Sequence, residues 1–403
     1  MSSLSITFPD LSANTPVGII GAGTMGRGIA QVAATSGHSV FLHDTNPQAL
    51  ESARAHLKRI LERLVEKGKL PPGQDAEILG RITFLSDDLK PLAACGLIIE
   101  AIVEDLAAKQ TLFAQLERQV APGTILATNT SSLSVTAIAA ACQHPERVLG
   151  LHFFNPAPLM PLVEVVPGVA TASEVVDRAR TLMEAWGKTP VVARDTPGFI
   201  VNRVARPFYG EALRILEEGI ADVPTIDWAM RTLGGFRMGP FELMDLIGND
   251  INYRVTETLW KAFFYEPRYR PSFTQQRMVE AGRLGRKTGI GFYDYREGAT
   301  NPAPTTDPTL GQQIFQRILA MLINEAVDAV FWQIASPADL DLAMTRGVNY
   351  PRGLLHWADE LGLETVLGWM EALYETYRED RYRPSPLFRQ MIRQGARFFE
   401  DAT

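Results

Sequence analysis

Cysteine is scarce: the 403 residues hold two, Cys95 and Cys142. Two thiols give no disulfide framework, and neither sits in a metal-ligand spacing, so no metal site is predicted. No window of about 18 apolar residues occurs, so no membrane-spanning helix is expected. The opening stretch MSSLSITFPDLSANTP lacks a basic segment followed by an apolar run. It reads as a short polar extension, not a secretory signal, and the expected compartment is the reducing cytoplasm. An excess of positive charge is also missing: the net charge is -7, which argues against a nucleic-acid binder. What the chain does have is length for two or three domains and, at 46% hydrophobic residues, material for sizeable cores.

The first patterned stretch is VGIIGAGTMGRGIAQVAATSGHSVFLHD. Val17 to Ile20 reads as a buried strand, and the segment from Thr24 reads as a helix. Between them Gly21, Gly23 and Gly26 form G-x-G-x-x-G. In that pattern Gly21 serves a tight turn, Gly23 lets a pyrophosphate approach the backbone, and Gly26 lets the helix pack close to the strand. The pyrophosphate would rest on the helix N-terminus. A second strand from Ser39 ends in Asp44, an acid placed to accept the ribose hydroxyls and to disfavour a 2′-phosphate, which points to NAD. Amphipathic spacing predicts a helix over 47–67 with a basic face of Arg54, Lys58, Arg59, Arg63 and Lys67. That face is either solvated or placed to contact phosphates. Further strands are predicted at 81–85, 97–101 and 124–128. The last runs into Asn129-Thr130-Ser131-Ser132, which either caps the following helix or meets a ligand at the sheet's carboxyl edge.

One segment, GLHFFNPAPLMPLVEVV from Gly150 to Val166, draws the rest together. A strand over 147–151 delivers His152 at its end, and three prolines keep the next residues out of helix. Leu162 to Val166 reads as a strand returning Glu164 to the same cleft. A glutamate flanked by valines is costly to bury unpaired, and His152 is its candidate partner. Such a pair can move a proton near neutral pH.

After a turn at Asp195-Thr196-Pro197-Gly198 the strands stop and helical patterns run to the end, the first over 200–219. A proline-rich linker is predicted over 296–310. Beyond it the chain repeats itself at one constant offset. Glu211, Asp227, Gly239, Asp245 and Gly248 recur as Glu325, Asp341, Gly353, Asp359 and Gly362. Asn202 does not recur, since Gln316 stands in its place. The expected architecture is an α/β Rossmann-type doubly wound sheet over 1–198, followed by two all-α modules over 199–300 and 310–403.

Taken together, GAGTMGRGIA, the acid of FLHD, EAIVED, NTSSLS, GLHFFNPAPLMPLVEVV, DTPGFIVNR, MGPFELMDLIG and GRKTGIGFYDY make the chain resemble the L-3-hydroxyacyl-CoA dehydrogenase family over nearly its whole length. The resemblance implies reversible NAD-dependent oxidation of the 3-hydroxyl of an L-3-hydroxyacyl-CoA, as in fatty-acid β-oxidation. It implies that His152 is the acid/base and that Glu164 orients it. Ser131 and Asn202 then match positions that hydrogen-bond the reacting oxygen or steady the site. Asp44 matches the ribose ligand, and Glu104, Lys109, Asn155 and Lys287 match cofactor contacts. Lys67 matches a lysine for CoA, whereas a serine that contacts CoA in the family is Ile60 here. The active site is then expected between the nucleotide domain and the first helical module. The second module would stand in for a partner's module as an internal pseudo-dimer, and a homo-oligomer is also compatible. The rival readings are a dehydrogenase of a free hydroxy acid or sugar acid on this scaffold, and a non-catalytic NAD-binding protein.

Overall fold

The computed structural model describes residues 7–400, so positions 1–6 of the N-terminal stretch lie outside the described residues. The rest of that short polar stretch is anchored at two points. Phe8 and Leu11 are buried in the core beneath the sheet.

Two compact units divide between Thr196 and Pro197, inside the predicted turn. Among the described residues the first holds eight strands: β1 (Val17–Ile20), β2 (Val40–His43), β3 (Ile82–Leu85), β4 (Leu97–Glu100), β5 (Ile125–Thr128), β6 (Val148–Phe153), β7 (Leu162–Pro167) and β8 (Thr189–Val192). Six helices flank them: α1 (Thr24–Thr35), α2 (Pro47–Glu66), α3 (Gln74–Gly80), α4 (Leu106–Glu117), α5 (Val135–Ala139) and α6 (Ser173–Ala185). The strands lie in the order β3-β2-β1-β4-β5-β6-β7-β8. All neighbours are parallel except β6 and β7. The order reverses between β1 and β4, so a crevice opens at their carboxyl ends, where doubly wound sheets bind nucleotides. The short central strands VGII, LIIE and ILAT are buried along their whole length, as a sheet covered on both faces requires.

The second unit is helical. It comprises α7 (Val201–Val204), α8 (Arg206–Glu217), α9 (Val223–Thr232), α10 (Pro240–Ile247), α11 (Asn249–Ala262) and α12 (Phe273–Glu280). Then follow α13 (Pro308–Phe331), α14 (Pro337–Gly347), α15 (Leu354–Leu361), α16 (Leu363–Tyr377) and α17 (Pro386–Gln394). The continuous helix expected over 200–219 is broken at Ala205. Pro207 has no N–H to give to the carbonyl one turn back, so the chain restarts as α8.

The repeat is structural. Asp227 accepts the N–H groups of Phe241 and Glu242, each at 2.9 Å. Asp341 accepts those of Leu355 and His356 at 2.9 and 3.0 Å. Gly239 and Gly353 are required because a Cβ on either would lie 2.3 Å from the aspartate's carboxyl carbon. Asp245 holds the N–H groups of Phe292 and Tyr293, and Asp359 holds those of Phe398 and Phe399. The long helix α13 of the second copy packs along α8 and α9 of the first.

Candidate functional site

The glycine loop has the geometry its spacing implies. Gly21 has φ 102, and a Cβ on Gly26 would sit 1.7 Å from the Gly21 carbonyl oxygen. A Cβ on Gly23 would meet nothing within 4 Å, so that face of the backbone is open to a ligand. Asp44, just past β2, is drawn to the loop: its Oδ2 accepts the Ala22 N–H at 2.8 Å and its Oδ1 accepts the Asn46 N–H at 2.9 Å. An open glycine turn, a helix start and a fixed carboxylate at the next strand end are the features an NAD nucleotide needs.

His152 is placed differently from the expectation. Strand β6 extends through Phe153, so His152 lies inside the strand and not beyond its end. Antiparallel pairing continues that far because β7 runs alongside and Asn129 Oδ1 accepts the Phe153 N–H at 2.8 Å. The register sets His152 directly opposite Glu164, with both side chains on one face of the sheet. Nδ1 of His152 lies 2.6 Å from Oε2 of Glu164, and the two residues are 6% and 0% exposed. Alternate residues Leu151, Phe153, Val163 and Val165 face the opposite core. Gly150 lets helix α5 close over the histidine's face, since a Cβ there would press on Val135 at 2.9 Å.

The Ser131 loop is organised by Glu104. Its Oε1 accepts the Thr130 hydroxyl at 2.6 Å and the Ser131 and Ser132 N–H groups at 3.0 and 3.2 Å. Burial pushes this carboxyl up, but the Thr130 hydroxyl, the Lys109 ammonium and the Ser131 and Ser132 donors outweigh it and hold the carboxyl below the usual range. Lys109, expected as a cofactor contact, is 1% exposed. Its ammonium lies 2.5 Å from Glu100 Oε1 and 3.4 Å from Glu104 Oε2. In this unit it braces the two carboxylates. Glu100 also accepts the Thr128 hydroxyl and the Ile102 N–H, at 2.7 Å each. Only its place at the end of a buried strand could have singled out Glu100 in the sequence.

Lys67 and Asn155 line one cavity of about 700 Å³ with Arg27, Arg63, Lys69 and Lys188. Leu57, Ile60, Leu64 and Trp186 supply apolar walls. Lys188 was not legible as a site residue. Its ammonium donates to the carbonyls of Ala157 and Met160 at 2.6 and 2.9 Å, tying down the proline-rich loop, and burial pulls it down to about 8. In the helical unit, Lys287 is paired with Asp250 at 2.5 Å, and Asn202 lies on α7. Among the described residues no His, Cys, Asp and Glu cluster could hold a metal, and no helix is long and apolar enough to cross a membrane.

Known proteins resemble the chain over both units. The model of the 3-hydroxyacyl-CoA dehydrogenase NAD binding domain matches residues 16–196, and that of its C-terminal domain matches residues 198–295 and 314–397. The C-terminal domain is therefore present twice. A 3-hydroxyadipyl-CoA dehydrogenase of Escherichia coli (strain K12) is 42% identical over 93% of this chain and 96% of its own length. A probable 3-hydroxybutyryl-CoA dehydrogenase of Bacillus subtilis (strain 168) is 43% identical over 69% of this chain and 96% of its own. The crystal structure of a 3-hydroxybutyryl-CoA dehydrogenase from Escherichia coli K12 superposes with a TM-score of 0.90 and 40% identity, covering 95% of this chain and 99% of that one.

Proposed function

Because the chain belongs to the 3-hydroxyacyl-CoA dehydrogenase family and is an NAD-dependent enzyme of that family, we propose that His152 is its acid/base and Glu164 the group that makes it one. The observation that carries this reading is the buried 2.6 Å pair. With Nδ1–H donated to Glu164, the basic nitrogen of the neutral ring is Nε2, and that atom takes the proton of the substrate 3-hydroxyl. Glu164 stabilises the imidazolium that results and fixes the ring's orientation, as a buried carboxylate does for other catalytic histidines. When bound, NAD supplies the acceptor for the hydride that leaves C3. In the reverse direction the imidazolium gives its proton to the 3-keto oxygen.

Ser131 and Asn202 are assigned to the reacting oxygen. Glu104 positions Ser131 through the backbone, and Lys109 supports that carboxylate from below. Gly21, Gly23, Gly26 and Asp44 hold the nucleotide, with Asn155 and Lys287 as further cofactor contacts. Lys67 and the basic rim of the 700 Å³ cavity receive the phosphates of CoA, since acyl groups of this class arrive as thioesters. The names of the relatives bring two acyl groups to this chain, hydroxybutyryl and hydroxyadipyl. The second helical module replaces a partner's module within one chain, and the compartment we assign is the cytoplasm.

Oxidation of NADH by the purified protein with acetoacetyl-CoA, and its absence with free acetoacetate, tests the reading. Turnover of the free acid alone would favour the non-CoA dehydrogenase. No turnover of any 3-ketoacyl-CoA would remove the enzymatic assignment.

A further inference from the structure

Four arginines of the helical unit are buried among the described residues: Arg203, Arg206, Arg268 and Arg317. Three are neutralised. Arg203 and Arg268 share Glu325 at 2.6 and 3.0 Å, and Arg317 meets Glu211 at 3.0 Å and Glu218 at 2.7 Å. Among the described residues Arg206 has no carboxylate partner. Its Nε donates to the Asn202 carbonyl at 2.9 Å and its Nη1 to the Thr256 hydroxyl at 3.2 Å. Its guanidinium carbon sits 4.9 Å from the centre of the Tyr209 ring. Burial pulls this guanidinium below the ordinary arginine range, with only the Tyr209 and Tyr350 hydroxyls opposing. Close by, the Tyr350 hydroxyl is buried and makes no hydrogen bond among the described residues.

A buried cation without a counter-ion costs several kcal/mol, so a fold seldom keeps one for its own sake. The repeat shows that this fold has no need of it. At the constant offset that maps Asp227 onto Asp341, Arg206 falls on Ala320, which is fully buried in the second copy. The residues that recur, Glu211, Asp227, Gly239 and Asp245, are those with structural partners. Asn202 and Arg206 are both confined to the first copy, and they are neighbours. Arg206 follows Asn202 by four residues, across the break at Ala205, and its side chain folds back to bond the Asn202 carbonyl.

We infer that Arg206 is a specificity-determining residue whose guanidinium, with the Tyr350 hydroxyl, receives a second carboxylate at the far end of the acyl group. The preferred substrate is then an L-3-hydroxydicarboxylyl-CoA with a short spacer between C3 and the terminal carboxylate. This rests on the assignment of Asn202 to the reacting oxygen: with Asn202 at the 3-oxygen, the guanidinium bonded to its carbonyl stands beside the atoms a few bonds beyond C3. A terminal carboxylate supplies the missing counter-charge, accepts from the guanidinium and offers the Tyr350 hydroxyl an acceptor.

The test compares kcat/KM of the full chain for 3-hydroxyadipyl-CoA and 3-hydroxybutyryl-CoA, each with NAD. The wild type is expected to prefer the dicarboxylic substrate. Arg206→Leu should lower the adipyl-to-butyryl ratio by a factor on the order of 10² to 10³, the scale of truncating one side of a buried charge pair. Arg206→Lys should restore part of it, and Tyr350→Phe should lower the ratio by about tenfold, chiefly through KM. Because the ratio is internal to each preparation, a fraction of misfolded protein does not alter it. A wild type without preference, or an Arg206→Leu enzyme with the wild-type ratio, overturns the inference and leaves the dehydrogenase reading standing. A wild type inactive on both thioesters overturns both.

Discussion

Arg203 of the first helical copy bonds Glu325 of the second at 2.6 Å, and the equivalent residues in exchanged roles, Arg317 and Glu211, meet at 3.0 Å. Tyr269 and Tyr382 repeat the exchange, donating to Glu325 at 2.5 Å and to Glu211 at 2.9 Å. Residue i meeting j while the copy of i meets the copy of j is the signature of a two-fold interface, here within one chain. It supports the proposal that the duplicated module takes the place of a partner's.

Glu325 gives that interface a pH dependence. Burial pushes its carboxyl up, but Arg203 and Arg268 hold it down to about 2. Its folded pKa is depressed from an ordinary 4.5, so its contribution to stability is complete above pH 4.5 and is lost as pH falls toward 2. Glu325→Gln should destabilise the protein by about 3–5 kcal/mol at neutral pH, because two buried arginines lose their counter-charge. Urea titrations of wild type and variant should converge as the pH is lowered through this window. A variant as stable as wild type at pH 7 would show that the pair contributes nothing.

Asp44 tests the cofactor assignment. Its carboxylate is fixed by Ala22 and Asn46, so Asp44→Ala should weaken NAD binding roughly tenfold to a hundredfold, the worth of a hydrogen bond to a charged group. The same change should narrow the preference for NAD over NADP. Equilibrium titration with both nucleotides reads the two effects, and unaltered affinities would remove Asp44 from the ribose.

Lys188 and Lys67 should act separately in the cavity. Lys67→Ala should raise KM for a CoA thioester with little change in kcat, since a phosphate contact binds ground state and transition state alike. Burial brings Lys188 down to about 8, so above that pH its two bonds to the loop that carries Asn155 lose the positive charge that strengthens them. KM should therefore rise as pH is taken from about 7 to about 9 in the wild type and stay flat in Lys188→Met. Parallel pH profiles for the two enzymes would exclude the role.

The sequence made legible what local spacing encodes. Glycines at 21, 23 and 26 announce a turn whose geometry only they satisfy, and apolar runs such as LIIE announce buried strands. The repeat was visible because Asp227, Gly239 and Asp245 perform the same bonds in each copy. Pairing across the chain was much less visible. That His152 sits inside a strand depends on the β6–β7 register and on Asn129, from another strand. The burial of Lys109 depends on Glu100 and Glu104, and no periodicity marks a lysine as internal. Lys188 and Arg206 read as ordinary surface cations until the packing around them is known.

The central claim is that a buried His152–Glu164 pair moves the proton, and single-turnover kinetics of His152→Gln with NAD and an L-3-hydroxyacyl-CoA test it most directly. The variant should bind NAD with wild-type affinity and lose most of its hydride-transfer rate. Glu164→Gln should fall between them, slowed by a factor on the order of 10² to 10⁴. Wild-type transfer rates in His152→Gln would contradict the claim.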